Sequence, residues 1–157
     1  MIVVADTSPI NYLILINEID VLGALYGRVL IPKAVHEELS RPGAPDSVRL
    51  WIAQPPDWLE IRAHAIAPDP SLAKLDLGER EAIVLAEELA ADQIVLDEML
   101  GRRAAEKRGL SVIGTVGVLR EAAWEGLLDL RSSIERLQKT SFHISPAILA
   151  ILFDESR

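Results

Sequence analysis

The sequence predicts an α/β fold of three layers, α/β/α, with a central, mainly parallel sheet of four to five strands. Three observations predict it. Short runs rich in Val, Ile and Leu recur along the chain and suit strands buried on both faces. Between them lie stretches of helical period with one apolar side. Strand and helix alternate through most of the 157 residues, as strands joined by helical crossovers do.

Residues 2–5 (IVVA) form the first strand. Thr7 or Ser8 is placed to cap the next helix, with Pro9 near its first turn, and that helix covers roughly NYLILIN. A second helix, EIDVLGALYG, closes at Gly27. RVLI (28–31) is the second strand, and Pro32 starts the helix KAVHEELS. Residues 41–57 are rich in Pro and Ala and hold a short helix around SVRLWIAQ. WLEIRAH (58–64) alternates in part, as an edge strand does, and APDPS (67–71) is a loop. A long helix spans about 78–91, with Ala82, Ile83, Ala86, Leu89 and Ala90 on its buried face. QIVLD (93–97) and LSVIG (110–114) are strands, separated by a basic helix, GRRAAEKRG (101–109). TVGVLREAAWEG (115–126) is a helix ended by Gly126. Two more follow near 131–139 and 145–153, the last capped by Ser145 with Pro146 first inside it. The length fits one domain over 1–157, with C-terminal helices at about 131–153 packing on the core.

Composition narrows the function classes. Cysteine is absent, which excludes disulfide frameworks, thiolate metal sites and cysteine nucleophiles and fits a cytoplasmic location. No uncharged stretch is long enough to span a membrane. The net charge of −8 runs against ordinary nucleic-acid binders, which neutralise phosphate with basic side chains. It leaves room for a nuclease, because metal-binding carboxylates are themselves negative.

Acidic residues recur where strands end and helices begin. In open parallel sheets, sites form beyond the carboxyl ends of the strands. Asp6 follows the first strand, and Asp97 and Glu98 follow the QIVL strand. Asp6 is read either as a helix cap or as a ligand, and Thr7 and Ser8 leave the capping job filled without it. In KAVHEELS, Glu38 shares a face with Val35 and Leu39, whereas Glu37 points away. In LGEREAI, Glu79 falls on the buried face and Glu81 to one side. Asp76 and Glu79 also have the spacing of a capping box. Four acids converging without cations would repel one another, and a divalent ion removes that cost. Oxygen-only donors favour Mg²⁺ or Mn²⁺.

The ordered set DTSP, VHEEL, LGEREAI, IVLDEMLGRRAA and GTVGVL resembles PIN-domain proteins. Within them it is most similar to the group related to VapC-type toxin ribonucleases of VapBC toxin–antitoxin systems. The resemblance covers nearly the whole chain. It implies a Mg²⁺- or Mn²⁺-dependent endoribonuclease that hydrolyses RNA with a metal-activated water. Asp6, Glu38, Glu79 (or Glu81) and Asp97 (or Glu98) match the family's acids, and Ser8 its supporting polar residue. The third acid is a glutamate where many toxin members carry an aspartate. The resemblance also implies a homodimer and, for a toxin, an antitoxin partner.

Other residues are weighed against that reading. Arg102, Arg103, Lys107 and Arg108 form a basic cluster after Asp97, suited to RNA phosphate contact or to a solvated face, with Arg102 nearest the strand end. Thr115 is placed to cap its helix. His36, His64 and His143 have no metal spacing and read as surface or structural residues. Trp51, Trp58 and Trp124 read as core or interface residues. Two rivals stand beside the ribonuclease. One is a non-catalytic PIN-like module that binds RNA or protein, motivated by the acidic charge and the variant third acid. The other is a small-ester phosphohydrolase, disfavoured because Ser8 stands where its second aspartate would be.

Overall fold

The computed structural model describes residues 1–63, 67 and 69–155. Apolar, β-branched runs become five short parallel strands: β1 (Val3–Ala5), β2 (Val29–Pro32), β3 (Leu59–Arg62), β4 (Gln93–Val95) and β5 (Val112–Ile113). Their order is β3-β2-β1-β4-β5, so β1 lies in the middle and the chain works outward on each side. Val3 and Val4 pair with Val29 and Leu30 on one side, and Val3–Ala5 with Gln93–Val95 on the other. Among the described strands β3 pairs with β2 alone, which makes it the edge strand the partial alternation predicts.

Side chains alternate across the pleat, and the sheet therefore divides the core in two. Val3, Ala5, Val29, Ile31 and Val95 point into one cluster; Val4, Leu30, Ile94 and Leu96 point into the other. The first cluster is covered by α1 (Thr7–Leu15), α2 (Asp20–Tyr26), α4 (Asp46–Ala53), α7 (Thr115–Trp124), α8 (Leu130–Gln138) and α9 (Pro146–Glu155). The second is covered by α5 (Leu77–Glu88) and α6 (Met99–Lys107). α3 (Lys33–Leu39) sends Val35 and Leu39 into the first cluster and packs beside α5. This is the predicted three-layer arrangement. Among the described residues no helix is long and apolar enough to cross a membrane.

Several local expectations are corrected. α1 begins at Thr7, not beyond Pro9, and neither Thr7 nor Ser8 caps it; Asp6 holds the N-cap position without a side-chain cap bond. α5 ends at Glu88 because Ala90 takes a left-handed φ of 48°, which turns the chain out and leaves Ala90 off the buried face. The segment read as a loop contains one 3₁₀ turn, Pro70–Leu72, capped by Asp69; Pro68 lies outside the described residues. β3 stops at Arg62, and His64, assigned to that strand, also lies outside them. Trp124 is 69% exposed beneath the Arg120 guanidinium, so it is not a core residue. Trp51 and Trp58 pack on each other with ring centroids 5.8 Å apart. Ser145 accepts from the Ile148 N–H and Pro146 opens α9, as expected.

Candidate active site

Parallel pairing of β1 and β4 brings their carboxyl ends side by side, and the chain leaving each strand delivers an aspartate there. A cavity of about 640 Å³ lies at this edge. Asp6, Glu38, Asp76, Glu79, Asp97 and Glu98 line it. Glu81 does not: its Oε1 accepts the Ala34 N–H at 3.1 Å, satisfying a free donor at the start of α3. Of that pair, the structure brings Glu79 to the cavity and uses Glu81 to hold a helix. The wheel's separation of Glu38 from Glu37 also holds, with Glu38 half-buried and Glu37 exposed.

The carboxylates differ in how they are satisfied. Glu38 Oε2 accepts from the Thr7 hydroxyl, and Oε1 accepts the Gly78 N–H at 3.1 Å. A Cβ on Gly78 would lie 2.7 Å from that Oε1, so a glycine is what lets the glutamate reach the start of α5. Asp97 Oδ1 accepts the Thr115 N–H at 2.7 Å. Its Oδ2 accepts the Thr115 hydroxyl at 2.7 Å and the Ser8 hydroxyl at 3.1 Å. Thr115 is therefore not a cap: Gly114 holds that position, and the fully buried Thr115 side chain orients Asp97. Ser8 supports Asp97 across the sheet instead of bonding its neighbour Asp6.

Asp6 and Glu79 are each 5% exposed, and Asp6 Oδ1 and Glu79 Oε2 are buried with no hydrogen-bond partner among the described residues. Burial pushes the Asp6 carboxyl up to about 7; the Thr7 backbone hydrogen bond opposes this, and the charges of Asp76, Glu38 and Asp97 add to it. Burial, then the hydrogen bond and charge of Asp76 and the charge of Asp6, push Glu79 up to about 8. Two unpaired buried carboxyl oxygens are costly, and such atoms are where a ligand is to be sought. Gly101, in the first turn of α6, makes room for Glu79: a Cβ there would lie 2.5 Å from its Oε2.

Asp76, read only as half of a capping box, does cap: its Oδ1 accepts the Glu79 N–H at 2.9 Å. It also lines the cavity, which local spacing does not reveal. Glu98 is exposed and contributes to the lining at the start of α6. His143, read as surface or structural, is exposed but reaches the same cavity. The segment carrying it is tied to α1 by Tyr12, whose hydroxyl lies 2.7 Å from Ser141 Oγ and whose ring meets Phe142 edge-on at 5.0 Å.

The basic cluster separates. Gly114 lacks the Cβ that would lie 2.9 Å from Arg102 Nη1 and 3.0 Å from Asp97 Oδ1, so Arg102 stands beside Asp97. Arg103 and Lys107 are exposed along α6. Arg108 turns away and pairs with Asp69 at 2.7 Å and with Glu87.

The carboxylates and hydroxyls of the cavity are oxygen donors, with His143 and the Met99 thioether the other potential ligands in its lining, and the acids fit a hard divalent cation. Among the described residues no group of three or more His, Asp or Glu side chains is placed to hold an ion as they stand. No curated protein and no solved structure matches the chain. A family model described as DUF3368, PIN domain, matches residues 2–156. PIN domains are a nuclease-type fold whose members usually bind divalent metals. Ordered acidic motifs, a parallel sheet with helices on both faces and a match over almost the full chain agree, and the protein belongs to the PIN-domain family DUF3368.

Proposed function

We propose that the protein is a divalent-metal-dependent endoribonuclease acting on RNA phosphodiesters, the VapC-type toxin of a toxin–antitoxin pair. The observation that carries the reading is the pair of buried, unpartnered oxygens on Asp6 and Glu79, in one cavity with Glu38 and Asp97. These four would hold Mg²⁺ or Mn²⁺. The ion would supply the charge that keeps them ionised and the activation of water for attack on phosphorus.

The protein's own part is positional. Thr115 and Ser8 hold Asp97, and Thr7 and the start of α5 hold Glu38, so two acids enter the cavity with fixed orientation. Asp6 and Glu79 keep protons near neutral pH and must release them on binding a cation. An antitoxin partner, a homodimer, a single PIN unit over the whole chain and a cytoplasmic location belong to the same proposal. RNA incubated with Mg²⁺, with Mn²⁺ and with EDTA tests it: cleavage by purified protein with either metal and none in EDTA is the expected result. Intact RNA in all three sinks the nuclease reading.

The net charge of −8 and a glutamate as the third acid favour a second reading, a PIN-like module that binds RNA or protein without cutting. Calorimetric titration with Mn²⁺ separates the two, since no heat at millimolar metal supports the module.

A further inference from the structure

The acidic cavity has a neighbour on the far side of Glu38. A second groove of about 520 Å³ is lined by Thr7, Asn11 and Glu38 as well, so the two adjoin at these three residues. Its far wall is the turn after α3, residues 41–45, which carries Arg41. That turn is stiff. The Arg41 N–H donates to the Glu38 carbonyl at 3.4 Å, the Ala44 N–H to the Arg41 carbonyl at 3.0 Å, and Arg49 Nε to the Ala44 carbonyl at 3.1 Å. Pro42 and Pro45 restrict it further.

Several other arginines are neutralised by acids. Arg28 and Arg62 are held by Glu60, Arg49 by Asp46, Arg108 by Asp69 and Glu87, and Arg136 by Glu18. Among the described residues Arg41 pairs with no carboxylate, and it is the one Lys or Arg that lines either of the two adjoining cavities. A polyanion approaching a surface of net charge −8 and a cluster of acids needs a cation close by to hold it.

We propose that the groove bounded by Thr7, Asn11 and Arg41 is a phosphate subsite that takes the nucleotide next to the one in the acidic cavity, with Arg41 contacting its phosphate. This rests on the endoribonuclease reading for the identity of the strand. The subsite would make the enzyme prefer a single strand long enough to span both cavities over a dinucleotide.

The test uses Arg41→Ala and Arg41→Lys in the full chain. With a single-stranded oligoribonucleotide and Mn²⁺, Arg41→Ala should raise KM on the order of tenfold and leave kcat unchanged, and Arg41→Lys should recover most of the loss. The slope of log(kcat/KM) against log salt should flatten by about 0.7, the loss of one single-strand phosphate contact. On a dinucleotide the variant and wild type should perform alike. A fall in kcat with unchanged KM and salt slope, or an equal defect on the dinucleotide, would overturn the subsite. Anisotropy of the labelled oligonucleotide, read without turnover in EDTA, keeps the two readings apart. Weaker, less salt-dependent binding by Arg41→Ala supports the subsite even if no cleavage is seen. Identical binding by wild type and variant, or none by either, refutes it while leaving the cleavage assay to judge the nuclease.

Discussion

Two pairs of carboxylates share the cavity and are built in opposite ways. Glu38 and Asp97 are tied down by five protein donors between them, hydroxyls of Thr7, Ser8 and Thr115 and backbone N–H groups of Gly78 and Thr115. Asp6 and Glu79 are more deeply buried, and each has an oxygen that no donor among the described residues reaches. A protein selected for stability alone would not keep that second pair, since each unpaired buried group costs about 1–3 kcal/mol. The tethered pair aims the site, and the unpaired one leaves it wanting a cation. The pairs therefore call for different experiments.

The largest effect is expected on the unpaired side. Asp6→Asn or Glu79→Gln should drop RNA cleavage to the level of an EDTA control, and a variant that cuts at the wild-type rate would remove that residue from the site. The same Asp6→Asn change should stabilise the protein when metal is withheld. Asp6 titrates near 3.8 when unfolded and at about 7 when folded. Its contribution to stability is present in full below the lower value and is lost as pH rises toward and through 7. Each pH unit separating the two titrations is worth about 1.36 kcal/mol. In EDTA at a pH above 7 the variant should thus be more stable by up to ~4 kcal/mol, and the gain should vanish toward pH 4. Urea unfolding across that range checks the sign. A variant less stable than wild type at high pH would mean that Asp6 is paired in solution.

Gly101→Ala strikes the same side indirectly, by placing a Cβ 2.5 Å from Glu79 Oε2 and 3.1 Å from Leu96 Cδ2. Overpacking of this kind costs roughly 1–3 kcal/mol, and calorimetry should show weakened Mn²⁺ binding together with the lowered melting temperature. Unchanged Mn²⁺ affinity would separate Glu79 from the metal.

Smaller changes are expected from the tethered side. Thr115→Val keeps the backbone N–H to Asp97 and removes only the hydroxyl, so it should cost about 1 kcal/mol and reduce cleavage without abolishing it. Glu81→Gln should do least, within about 0.5 kcal/mol, because an amide oxygen still accepts the Ala34 N–H. Should cleavage collapse in Glu81→Gln, the third acid has been assigned to the wrong glutamate.

How far the site is legible in the sequence follows from the range of each interaction. The wheel separates Glu38 from Glu37 and favours Glu79 over Glu81 because helical period is local and an apolar stripe marks the buried face. Local spacing also finds the Asp76 cap, but not that Asp76 lines the cavity, which depends on α5 starting beside the ends of β1 and β4. The hydroxyls mislead. Thr7, Ser8 and Thr115 all occupy positions where capping is the usual local use of a short hydroxyl. Their actual partners lie 31, 89 and 18 residues away. His143 has no ligand near it in sequence, yet it reaches the cavity because Tyr12 holds its segment against α1.

The chain by itself determined the order of strands and helices, the parallel sense of the sheet and the faces its acids would occupy. These follow from periodicity and from the handed crossovers that short connections permit. Tertiary structure alone decided which acids stay unpaired, which hydroxyls aim the others, and that a groove lined by Arg41 adjoins the cavity. Those outcomes depend on which distant donors reach a carboxylate once β1 and β4 lie side by side, and no spacing along the chain encodes that reach.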